Sequence, residues 1–212
     1  IRLEKFDKIL PRAMHDNNID MWIHILRPWT SDPLQFEIGA REGVFIFTNR
    51  GLKRIERAAF CADIQDPTAY DLIFEEGMER ESKPGTPLEM DFRFVGLRKF
   101  VSERNPKQIG VNYMDELSTA SSSEGNPLSD GISYKDYNLL IEALGENYRD
   151  RIRSAEYVIM DYLAGRVPEE IKLYQQFGMI AANNLDREFK KVIPGFTKLS
   201  DLEGNVFLRV PD

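Results

Sequence analysis

The chain has 212 residues, 42% of them hydrophobic and 30% charged, which is the composition of an ordinary soluble globular protein long enough to bury a core without covalent staples. Its 28 basic and 35 acidic residues leave a net charge of -7, which repels phosphate backbones and argues against nucleic-acid binding. No apolar run approaches the ~20 residues of a membrane span. The single cysteine, Cys61, excludes an internal disulfide and a thiolate metal cage.

Leu3, Phe6, Ile9, Leu10 and Met14 recur every three to four residues, the signature of a helix with one buried face. Pro11 lies inside that pattern and should bend the helix or stand near a helix start. Residues 19–26 form a mostly apolar run of strand length, interrupted by His24. A helix leading at once into a buried strand points to an α/β layer structure. Pro28 and Pro33 make residues 27–33 a loop at one end of that strand.

Residues 43–48 read as a second strand and 53–62 as a third, with Asn49, Arg50 and Gly51 as the turn of an antiparallel hairpin. A short strand is expected in 70–74, followed by a surface loop over 75–87. Phe92, Val95, Phe100 and Val101 suggest a helix over 88–104, with Gly96 as its weak point. Residues 109–113 form a short strand, and 118–130 an exposed loop. Ser133 with Asp136 is close to a capping box, opening a helix that buries Tyr137, Leu140, Ile141 and Leu144 and ends at Gly145. An extended piece follows at Ile152, then a helix over 155–164 stopped by Gly165. Pro168, Glu169 and Glu170 open the longest helix, which Pro194 and Gly195 terminate. A further helix, capped by Thr197 or Ser200, is expected to run through Phe207.

Chemistry-bearing motifs are scarce. The two histidines, His15 and His24, have no metal-binding spacing, and no nucleophile elbow, dinucleotide fingerprint or Walker loop occurs. His24 reads as a hydrogen-bonded histidine of the core or a cleft. Asp63, Asp66 and Asp71 cluster after the third strand and read as a solvated loop before a cation site. The basic runs at 53–57 and 149–153 read as solvated faces.

A family resemblance rests on an ordered set of segments. Residues 3–14, then Asn18, Ile19, Asp20, Met21, Trp22 and Ile23, resemble the opening helix and strand of the creatinase/prolidase N-terminal domain, with Asn18 where glycine is common. Residues 109–112 resemble that family's strand after the central helix, and 129–133 its turn before the next helix. Residues 152–156 and 166–171 resemble the linker into the catalytic pita-bread domain, and 193–197 the segment after its first helix. The resemblance implies an α/β fold: a mixed β-sheet flanked by helices, ribonuclease H-like in outline, followed by C-terminal helices. It divides the chain into an N-terminal domain, 1–154, and a linker helix with the start of a catalytic domain, 155–212.

The same resemblance implies a non-catalytic domain of a metal-dependent peptidase of the aminopeptidase P or Xaa-Pro dipeptidase kind. Two divalent ions (Mn, Co or Zn) would serve the full-length parent, on two Asp, one His and two Glu that this chain does not reach. No catalytic or metal-binding residue, and no cofactor, is therefore expected within it. Such domains commonly form homo-oligomers and line the entrance to a partner subunit's active site. The entrance candidates are His24, Arg27, Trp29 and Asp32: Arg27 to pair a substrate carboxylate, Trp29 to wall the pocket. The peptide substrate would be met through the catalytic domain, with no nucleic acid or membrane as partner. A cytoplasmic location is expected. Ile1 at the start implies a trimmed N-terminus, which leaves secretion or a periplasmic location open. Two alternatives stand beside this: a recognition or assembly module of a catalytically inactive parent, and a metal-dependent nuclease on fold analogy alone.

Overall fold

The computed structural model describes residues 1–28, 30, 32–51, 54–60, 64–74, 94–115 and 131–198. The first strand, β1 (Met21–Leu26), is buried at all six positions. A strand apolar on both faces needs cover on both, so it belongs in the middle of a sheet between two helical layers. It pairs antiparallel with β2 (Gly43–Thr48) on one side and parallel with β5 (Ile109–Val111) on the other. Completed by β3 (Glu56–Phe60), β4 (Leu72–Phe74) and β6 (Ile152–Ser154), the six-stranded mixed sheet runs β4-β3-β2-β1-β5-β6.

Alternation along β1 assigns each side chain to a layer. Trp22 and Leu26 join Phe45, Phe47 and Ala59 in a core under α1 (Arg2–Lys8), α2 (Leu10–Asp16) and α6 (Glu156–Ala164), which supply Phe6, Leu10, Met14, Val158, Ile159 and Tyr162. Met21, Ile23 and Ile25 join Val44, Ile46 and Phe60 in a second core under α4 (Leu97–Arg104) and α5 (Tyr134–Leu144). Each fully buried aliphatic or Phe side chain contributes about 1.5–3 kcal/mol of transfer free energy. The fold class is therefore the expected one, a mixed sheet flanked by helices.

Several elements differ from the periodicity reading. The first helix is two, α1 and α2, broken at Ile9, with Pro11 in the first turn of α2. Pro11 has no N–H to bond the carbonyl of Asp7, and its ring crowds that carbonyl, so one helical ladder cannot run through. The helix expected over 88–104 starts at Leu97, with Gly96 as N-cap at φ +81°, a left-handed value that glycine adopts without steric cost. Short α3 (Gln35–Ile38) and the 3₁₀ turns Pro67–Ala69 and Glu146–Arg151 lie below the length that periodicity can register. The ends of the third strand at 53 and 61–62, the loops at 75–87 and 118–130, Cys61, Asp63 and the helix expected through Phe207 lie wholly or partly outside the described residues.

The chain forms two units, Arg2–Gly165 and Arg166–Asp212 with Ile1. The first holds the sheet and α6. The second carries α7 (Pro168–Phe189), whose Glu170 carboxylate accepts the Val167 N–H at 3.0 Å. Among the described residues no helix is long and apolar enough to cross a membrane.

Candidate functional site

β1 and β5 are parallel neighbours whose chains leave in opposite directions. From the carboxyl end of β1 the chain turns to α3 and β2; from that of β5 it proceeds to α5 and β6. Open α/β sheets bind ligands in the crevice that such a divergence creates. The described polar side chains that meet there are His24, Arg27, Asp32 and Asn112.

His24 is 2% exposed, and its Nε2 lies 3.2 Å from Asp32 Oδ2. Asp32 Oδ1 accepts the Leu34 N–H at 2.8 Å, closing a turn into α3. Burial works against the Asp32 charge, yet the His24 hydrogen bond and charge, the Leu34 amide and the Arg27 charge together hold its carboxyl below the usual carboxylate value. An ionised carboxylate only accepts, so His24 Nε2 carries the proton and donates. His24 Nδ1 is buried without a hydrogen-bond partner among the described residues. Trp22 packs edge-on to the His24 ring, with centroids 5.4 Å apart.

Arg27 is half-buried and donates from Nε to the Gly131 carbonyl at 2.7 Å. Its Nη nitrogens have no hydrogen-bond or ion-pair partner among the described residues, which leaves a planar two-donor edge suited to a carboxylate. Thr30 Oγ1 donates to the Arg27 carbonyl at 2.8 Å, and Gln35 Nε2 donates to the Thr30 carbonyl at 2.8 Å, which links Arg27 through Thr30 to the start of α3. Of the four residues singled out from sequence, the structure thus brings His24, Arg27 and Asp32 to one place. Trp29 lies outside the described residues.

Two further residues were not singled out as functional. Asn112, fully buried, follows the last paired residue of β5; its Oδ1 accepts the Ile25 N–H and its Nδ2 donates to the Ile25 carbonyl, both at 3.0 Å. A Cβ on Gly131 would stand 2.6 Å from Asn112 Nδ2 and 2.8 Å from Asp32 Oδ2, so only glycine fits this approach. The sequence signal for both was weak: an Asn ending a short strand, and a glycine in a turn. Phe36 on α3 and Tyr134 at the start of α5, 85% and 84% exposed, are each within four residues of the cluster along the chain.

The remaining candidates have structural partners. Asp66 caps a 3₁₀ turn by accepting the Thr68 N–H at 3.2 Å, and Asp71 accepts the Arg57 N–H at 2.9 Å and pairs with Arg54. His15 is exposed beside Asp16. Among the described residues no three His, Cys, Asp or Glu side chains converge as a metal donor set.

No family model matches the chain, and no curated protein matches it. Among solved structures it is similar to a Xaa-Pro dipeptidase from Bacillus anthracis, at 14% sequence identity and a TM-score of 0.51, over 97% of this chain and 48% of that one. At that identity the likeness defines the fold: a mixed α/β sheet domain followed by helices. The chain spans about half the length of that dipeptidase.

Proposed function

We propose that the chain is the non-catalytic N-terminal domain of a metal-dependent peptidase, of Xaa-Pro dipeptidase or aminopeptidase type, acting in the cytoplasm. The observation that carries this reading is the fold likeness to a Xaa-Pro dipeptidase along 97% of the chain. The order of the family-like segments supports it. So does α7, which carries Tyr174, Phe177 and Phe189 exposed, as a helix belonging to a larger core would. In this reading the two divalent ions (Mn, Co or Zn) that such a peptidase uses would be held by the catalytic domain of the full-length parent, where they would activate water.

In this reading the domain contributes to oligomer formation and to the entrance of a partner subunit's active site. The free edge of Arg27 faces the substrate's carboxylate, and the His24–Asp32 contact holds the loop that carries it. The test is made on the full-length protein with each ion in turn, using Xaa-Pro dipeptides. Cleavage is expected, with Arg27→Gln raising KM about tenfold, the loss of one charge-assisted hydrogen bond, while kcat stays within about twofold. A metal-loaded protein that cleaves no Xaa-Pro peptide would remove the specificity. A full-length protein that binds no metal leaves a recognition or assembly module.

A further inference from the structure

We infer that Asn112 is the positioning residue that sets Arg27 at the mouth of the β1–β5 crevice. Backbone pairing of these strands ends at Ile23 with Val111. Beyond it the Asn112 carboxamide stands in for the missing strand, satisfying both backbone groups of Ile25 at 3.0 Å. Its own carbonyl accepts the N–H groups of Gly131 and Ile132, each at 3.0 Å. The Gly131 carbonyl in turn accepts Arg27 Nε at 2.7 Å. The links close a circuit, from Ile25 through Asn112 and Gly131 to Arg27 and back along two residues of chain. Every member is fixed by another, and only Asn112 spans both strands.

The carboxamide suits this position because it offers one acceptor and one donor in a plane, the same pair a backbone peptide offers. Aspartate keeps the acceptor and loses the donor, and it faces the Ile25 carbonyl with a second oxygen. Leucine or alanine would leave two buried backbone groups without partners. Asn112 acts through Arg27, and its bearing on catalysis rests on the proposed entrance role of that residue.

The test compares this chain with its Asn112→Asp variant by hydrogen exchange, following the Arg27 Nε–H and the Ile25, Gly131 and Ile132 amides. We expect cooperative unfolding to persist while protection at Arg27 Nε–H and at the Gly131 and Ile132 amides falls tenfold or more, with β2 and β3 amides unchanged. Protection at Arg27 within twofold of the parent overturns the inference. Should Asn112→Asp not fold, Arg27→Gln tests the same circuit from its exposed end. A threefold or greater loss of protection at Gly131 and Ile132 supports the coupling, and unchanged protection overturns it. In the full-length protein Asn112→Asp should raise KM and leave kcat within twofold. Absence of peptidase activity there bears on the proposed function alone, because the exchange readout is independent of it.

Discussion

The Nζ of Lys5, a side chain with no solvent exposure, sits 2.8 Å from Glu37 Oε1 and 4.9 Å from the centre of the Tyr162 ring. One buried cation thereby joins α1, α3 and α6. Because α3 follows directly on the loop bearing Arg27 and Asp32, this contact anchors the far end of the candidate site. Glu37→Ala takes away this carboxylate and should lower stability by about 1.5–3 kcal/mol, the range for a hydrogen bond to a charged group. Lys5→Met, which fills the same volume without charge, should cost far less. Urea denaturation of both variants measures the contrast, and equal losses would show that the pair is not the stabilising element.

Asp32 makes stability sensitive to acid. Its folded value is held below the ordinary carboxylate value, so its contribution is complete above the unfolded value and is lost as the pH falls through the folded one. The expected window therefore lies below about pH 4. Asp32→Asn should cost about 1–3 kcal/mol at neutral pH, where a buried charge-assisted contact is lost, and should flatten the acid slope. Denaturation midpoints between pH 2 and pH 7 read both effects; an unchanged slope would separate Asp32 from the acid response.

Gly131→Ala places a methyl group 2.6 Å from Asn112 Nδ2 and 2.8 Å from Asp32 Oδ2. Neither polar atom can retreat without loosening its own hydrogen bond. A loss of about 1–3 kcal/mol is expected, as for overpacking elsewhere. Thermal unfolding checks this, and a neutral result would mean that the segment before α5 yields freely.

Ser133 caps α5, accepting the Asp136 N–H at 3.0 Å and donating to Asp136 Oδ2 at 2.7 Å. Ser133→Ala should cost about 1 kcal/mol, and Ser133→Asp should recover most of it. Equilibrium unfolding of the two variants tests the cap against a general effect of substitution.

Phe177 on α7 is 57% exposed and Phe189 63%. Replacing both with serine should leave the main unfolding midpoint within about 2 °C, because lightly packed surface positions carry little stability. It should also reduce concentration-dependent association of the chain. Light scattering over a range of concentrations provides the measurement. A large fall in the midpoint would instead place these rings in a packed core.

Much of this protein was legible in its residues because the signals were local. A mostly apolar run of strand length identified β1 as a buried strand. The spacing of Tyr137, Leu140, Ile141 and Leu144 identified α5, and Ser133 with Asp136 its start. Two prolines marked residues 27–33 as a loop after β1, and the family resemblance made His24, Arg27, Trp29 and Asp32 the entrance candidates. Sequence could not show that His24, Arg27 and Asp32 meet, nor that Asn112 and Gly131 complete the cluster. That depends on β5 pairing beside β1 across more than eighty residues of chain, a non-local contact that no period in the sequence encodes. The break at Ile9 and the late start of α4 had local causes, Pro11 and Gly96, but where each took effect was settled by packing. The sequence by itself determined which segments are apolar and on which face. Only the tertiary structure decided which strand ends stand together, because hydrophobic burial is non-directional and the strand order that satisfies it is a property of the whole chain.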